Sequence, residues 1–172
     1  MTCSPCQVSF TNRGGWSATT GAQEAINLAI GLVATDGRHI AVESPGYPGA
    51  LDATARARGQ PLAVEREAGG LRIDRFKRLL ERQRVHALYL AASCNNPTGS
   101  RTAPHRRERL AALAADHELT VIEDTVLDDL RFDADPGPPA WAARSRASAR
   151  RGLAEQGRLG RPARRLAHRT WP

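Results

Sequence analysis

Four short stretches of this 172-residue chain carry residue types that can hold and polarise a small molecule. Gly21-Ala22-Gln23 stands at the entrance of an apolar helical pattern, where unpaired backbone N–H groups and the positive end of the helix dipole suit a phosphate. An ordinary N-cap would read the same way. Tyr47 is a lone aromatic in the Pro/Gly loop Ser44-Pro45-Gly46-Tyr47-Pro48-Gly49, a place where packing is the commoner use of a ring. Asn96 lies in a polar cluster that turns on Pro97-Thr98-Gly99, and Asp124 follows Glu123 directly after an apolar run. Together these residues offer a backbone phosphate cradle, a flat ring, a neutral amide and a carboxylate. A carboxylate beside a ring nitrogen favours the protonated form, so a phosphorylated, aromatic, cationic heterocycle would use all four.

The elements needed to bring them together are legible as hydrophobic runs. Val85 to Gly99, VHALYLAASCNNPTG, is a strand-length apolar run that stops at a polar cluster. His39 to Glu43, Pro61 to Val64 and Leu119 to Ile122 read as further strands. Between them fall helices: an almost wholly apolar one over Ala25 to Val33, expected to be buried, and others over Ala50 to Arg58 and Ala103 to Glu118. Asp74 is expected to cap another, whose apolar face is Ile73, Phe76, Leu79 and Leu80 and whose wet side carries Lys77, the only lysine in the chain. The connections are too long for hairpins and the strands run apolar instead of alternating. The fold class is therefore α/β, a parallel sheet with crossover helices on both faces. All four candidate stretches then fall at carboxyl ends of strands, around one crevice.

The formal charge of +7 and pI near 10.5 suggest nucleic acid until the charge is located. Gly137 to Pro172 holds nine Arg against one acid, Glu155, so residues 1–136 carry a net charge of only −1. The division expected is an irregular N-terminal segment over 1–19, a domain over 20–135, and an Arg/Ala/Gly-rich tail over 136–172. For the tail a disordered basic segment, a nucleic-acid arm and translation out of frame all compete, the last favoured because lysine and interleaved aromatics are scarce. Cys3, Cys6 and Cys94 form no disulfide framework, which fits the cytoplasm. The lone Cys3-Ser4-Pro5-Cys6 lacks the context of a redox pair or a zinc site, so no metal is expected. No membrane segment is read.

In this order, TTGAQEAI, ESPGYPG, NNPTG and VIEDTVLDDLRF resemble the large domain of class I/II, fold-type I pyridoxal-phosphate aminotransferases. The similarity is strongest to the aminotransferase-like domain of MocR-type regulators, which carry a GntR-like winged helix ahead of it. It covers about Thr20 to Phe132. The resemblance implies that Gly21, Ala22 and Gln23 give backbone and side-chain donors to the cofactor phosphate and that Tyr47 stacks on the pyridine. It also implies that Asn96 hydrogen-bonds the pyridine O3′, next to a cis Asn96–Pro97 bond, and that Asp124 pairs with the ring nitrogen.

Several positions depart from the family pattern. Val126 and Leu127 stand where relatives carry a tyrosine that shares O3′, and Ser9 to Thr19 reads as an insertion ahead of TTGAQ. The Schiff-base lysine belongs to a later strand-loop, where this chain has its Arg-rich tail, so no catalytic residue is assigned. Three functions follow as expectations. One is a truncated aminotransferase-like domain, inactive as written, whose intact relatives transfer amino groups between an amino acid and a 2-oxo acid, with a homodimer as the assembly implied. Another is the effector-binding part of a MocR-type regulator, reaching DNA only through a winged helix not present in this chain. The third is a basic-tailed nucleic-acid binder, disfavoured by the neutral body.

Overall fold

A computed structural model describes residues 7–10, 15–35 and 37–127. The Cys3/Cys6 pair and the Arg-rich tail lie outside the described residues. A two-stranded antiparallel sheet comes first, β1 (Gln7–Phe10) and β2 (Gly15–Ala18), pairing Ser9 with Trp16 and Phe10 with Gly15. The expectation of an irregular segment over 1–19 is corrected for Gln7–Phe10 and Gly15–Ala18, which are strands. Four-residue strands are too short to show an alternation, so pairing, not pattern, defines them.

Among the described residues the main sheet has five strands in the order β5-β4-β3-β6-β7: β3 (His39–Ser44), β4 (Gln60–Glu67), β5 (Gly70–Leu71), β6 (Ala87–Leu90) and β7 (Thr120–Glu123). The pairs β3–β4, β3–β6 and β6–β7 are parallel, with Val42 opposite Tyr89 and Tyr89 opposite Ile122. The parallel sheet expected from the apolar runs is present. Only β5 runs antiparallel, pairing Leu71 with Arg66, and two residues leave no sequence signal.

Helices cover both faces. On one side pack α1 (Ala22–Val33) and α2 (Pro48–Arg56), whose Ile26, Ile30, Ala50 and Ala53 meet Ile40, Val42, Ala87, Tyr89 and Ile122 of the strands. On the other pack α3 (Ile73–Arg82) and α4 (Pro104–Asp116), through Phe76, Leu80, Leu110, Ala111 and Ala114 against Ala41, Val64, Leu88, Leu90 and Val121. Fully burying a Val, Ile, Leu or Phe side chain among these contributes about 1.5–3 kcal/mol, and this is what fixes the sheet between its helix layers.

Two helix details differ from the sequence reading. α1 buries only one stripe, leaving Leu28 and Leu32 exposed, at 43% and 61%. Asp74 sits inside the first turn of α3 and not at its cap; its carboxylate takes Arg72 and Arg78 instead, because both guanidinium groups are within reach. Lys77 is a solvated charge, as expected, 64% exposed and 4.0 Å from Glu81.

The chain leaves β3 toward β4 on one side and later returns to the other side of β3 to form β6. A reversal of this kind opens a crevice beyond the carboxyl ends of the two central strands.

Candidate functional site

A cavity of about 160 Å³ occupies that crevice, lined by Ala22, Ile26, Tyr47, Ala91, Cys94, Asn96, Asp124, Val126 and Leu127. Small-molecule sites usually enclose at least ~300 Å³, so the described residues form one wall and floor of a site rather than a closed pocket. Three of the candidate residues, Tyr47, Asn96 and Asp124, come from the ends of three adjacent strands, β3, β6 and β7. The fourth stretch arrives differently. Gly21 is the N-cap of α1 and follows β2, which belongs to the separate two-stranded sheet, so the helix and not a main-sheet strand brings Ala22 to the cavity.

Each group is held by its neighbours. Glu24 reaches back to the Thr20 N–H at 2.6 Å and the Thr20 hydroxyl at 2.7 Å, fixing the approach to α1. These donors keep the Glu24 carboxyl below its ordinary pKa. Gln23 does not line the cavity. Its side-chain amide donates to Asn27 Oδ1 (3.1 Å) and to the Gly49 carbonyl (3.0 Å), and its Oε1 accepts the Tyr47 hydroxyl at 2.7 Å. Both amide hydrogens are therefore committed, which leaves the backbone N–H as the donor Gln23 can offer a phosphate. Gly49 is required beside this contact, since a Cβ there would overlap the Tyr47 ring and the Gln23 oxygen.

The Asn95–Asn96 pair divides its work. Asn95 is buried and builds the loop, donating to Glu43 Oε2 (3.2 Å) and accepting the Thr98 hydroxyl (2.8 Å). Asn96 is exposed, lines the cavity, and has no protein hydrogen-bond partner among the described residues. The peptide bond between Asn96 and Pro97 is cis, as the resemblance implies; the Ser44–Pro45 bond is cis as well.

Beneath the loop lies a buried ion pair, Glu43 with Arg66, that the sequence reading did not single out. Glu43 also accepts the Ala91 N–H at 2.9 Å, and Arg66 donates to the Ser100 hydroxyl at 3.0 Å. Burial pushes the Glu43 carboxyl up, opposed by Arg66, Ala91 and Asn95. A carboxylate at the end of an apolar strand is the signal that could have revealed it. The other missed residue is Tyr89, which donates to Asp124 Oδ2 at 2.6 Å from within the core. Burial first, then the Asp124 charge, hold its phenol protonated far above the ordinary range. Asp124 Oδ1 accepts the Val126 N–H at 3.0 Å. Asp124 is thus a carboxylate fixed at both oxygens on the cavity wall. The cavity offers an aromatic face, an unengaged amide, a fixed carboxylate and a helix start, a donor set that fits a flat phosphorylated base.

Comparison with known proteins agrees. Residues 7–154 match the family model described as aminotransferase class I and II. The chain is 34% identical over 125 residues to the uncharacterized HTH-type transcriptional regulator YdcR of Escherichia coli, covering 72% of this chain and 27% of the regulator. It is 33% identical over 114 residues to the 2-aminoadipate transaminase of Thermus thermophilus, covering 66% and 29%. The crystal structure of the Thermus thermophilus α-aminoadipate aminotransferase LysN, complexed with N-(5′-phosphopyridoxyl)-L-leucine, superposes with a TM-score of 0.59 at 34% identity, over 62% of this chain and 27% of that one. The chain spans less than a third of the length of these relatives. It belongs to the aminotransferase class I and II family.

Proposed function

We propose that the crevice binds pyridoxal 5′-phosphate. The observation that supports this reading most is the convergence of Tyr47, Asn96 and Asp124 from three adjacent strands on one cavity at the sheet's reversal point. In this reading the N–H groups of Gly21, Ala22 and Gln23 face the phosphate and the Tyr47 ring stacks on the pyridine. Asn96 donates to O3′. Asp124 accepts from the ring nitrogen and keeps it protonated. When bound, the cofactor supplies a cationic ring that takes up electron density from a substrate carbon. In intact relatives such a site serves amino-group transfer between an amino acid and a 2-oxo acid, and a homodimer in the cytoplasm is the assembly proposed. Lys77, the only lysine of the sequence, lies exposed on α3, on the opposite face of the sheet, so the described residues bring no lysine amine to the cavity. Binding by this chain is therefore noncovalent. Titration with pyridoxamine 5′-phosphate, followed by its fluorescence, tests it: saturable binding is expected, abolished by Asp124→Ala, and equal binding by that variant would show that the crevice is not the site.

A second reading rests on the similarity to YdcR. If this domain serves a regulator, its ligand is an effector rather than a substrate, and the gene encodes a winged-helix segment upstream of Met1. Sequencing the upstream region separates the two.

A further inference from the structure

Asp124 is held in place from the core, and this is where the geometry goes beyond the four family motifs. Tyr89 is only 2% exposed, and its ring sits among Ile26, Ile30, Ala50 and Ile122 on the α1/α2 side of the sheet. It does not line the cavity, yet its hydroxyl reaches Asp124 Oδ2 at 2.6 Å. The two residues sit on neighbouring strands, with Leu90 opposite Glu123, and the Asp124 N–H donates to the Leu90 carbonyl at 2.9 Å. The main chain of β6 thus anchors the Asp124 backbone while the Tyr89 side chain on the same strand anchors its carboxylate. The ionisable groups that bear on Tyr89 are Asp124, Glu43 and Tyr47, all of them acids, so its proton stays in place and the phenol remains a donor.

We propose that Tyr89 is the positioning residue of Asp124, setting the orientation of the carboxylate toward a bound ring nitrogen without touching the ligand. The proposal rests on the pyridoxal-phosphate reading. One carboxylate oxygen is committed to the phenol and the other to the Val126 N–H, so the plane of the carboxylate is fixed before any ligand arrives. A preset acceptor avoids the ordering cost that a mobile side chain would incur on binding. Phenylalanine at 89 keeps the ring and its packing and removes only the donor.

The experiment is a double-mutant cycle on the full chain: wild type, Tyr89→Phe, Asp124→Asn and the double variant. Each is titrated with pyridoxamine 5′-phosphate, which carries no aldehyde, and circular dichroism fixes the folded fraction. Tyr89→Phe is expected to weaken binding about tenfold, the order set by a hydrogen bond to a charged group. In the Asp124→Asn background the same change should have less than a twofold effect, because the group it acts through is gone. The ring-nitrogen titration of the bound ligand, followed by absorbance, should move to lower pH in Tyr89→Phe, a signature that lost packing would not produce. Wild-type affinity in Tyr89→Phe together with weak binding by Asp124→Asn overturns the proposal and leaves the cofactor reading standing. An equal loss in both backgrounds assigns Tyr89 to packing and overturns it too. Absent binding by the wild type, or equal binding by Asp124→Asn, overturns the cofactor reading and the proposal with it.

Discussion

The two faces of the main sheet are built from the same number of helices and from different materials. The α3/α4 face is filled by large side chains, among them Leu71, Phe76, Leu88, Leu90, Leu110 and Leu119, all fully buried. The α1/α2 face is lined by Ala34, Ala50, Ala53 and Ala87 between a few isoleucines, and it alone buries a tyrosine. Small residues let helices approach the strands closely but contribute little apolar area. Stability is therefore concentrated on the face that carries no candidate site residue, and the other face trades burial for the geometry that places Ala22, Tyr47 and Asp124 around one cavity. On this division, substitutions at the cavity should leave the chain folded, because the opposite layer carries the larger buried side chains.

Substitutions that separate the two layers test this. Phe76→Ala should cost about 3–5 kcal/mol in urea unfolding while leaving pyridoxamine 5′-phosphate affinity per folded molecule unchanged. An affinity loss larger than threefold would show the layers to be coupled. Arg66→Leu removes one partner of the buried pair, which costs about 3–5 kcal/mol when the other charge is left behind. Here both stability and affinity should fall, since Glu43 also holds Ala91 and Asn95. The sign of its pH dependence follows from the raised Glu43 carboxyl: a group whose folded pKa lies above the unfolded value supports the fold best when protonated, so the loss should deepen as pH rises above 4.5. A deficit that shrinks with rising pH would contradict this. Gly49→Ala forces the Tyr47 ring aside and should cost about 1–3 kcal/mol, with weakened ligand binding as its main effect. Leu32→Gln, on the exposed stripe of α1, should change stability by no more than about 0.5 kcal/mol.

Much of this was legible in the sequence because the runs over His39–Glu43, Val85–Ala92 and Leu119–Ile122 are short and largely apolar without alternation, as doubly covered parallel strands are. The positions of Tyr47, Asn96 and Asp124 followed from strand ends alone. The partners of these residues did not. Tyr89 meets Asp124 only through the β6–β7 register, and Glu43 meets Arg66 only through that of β3 and β4. Local pattern carries no register. α1 packs on the sheet as expected, through Ile26 and Ile30, but Leu28 and Leu32 stay exposed for a related reason: an apolar composition does not say how many neighbours a helix will have.

The sheet also ends differently at its two margins. At the outer margin β4 carries Pro61, exposed Glu65 and Glu67, and the short return strand β5, features that discourage another chain from adding itself. The margin formed by β7, Thr120–Glu123, has none of these, and no described residue pairs with its outer side. A strand added from outside would therefore meet a proline and carboxylates at the β4 margin, which leaves that side of the sheet to side-chain contacts rather than main-chain pairing.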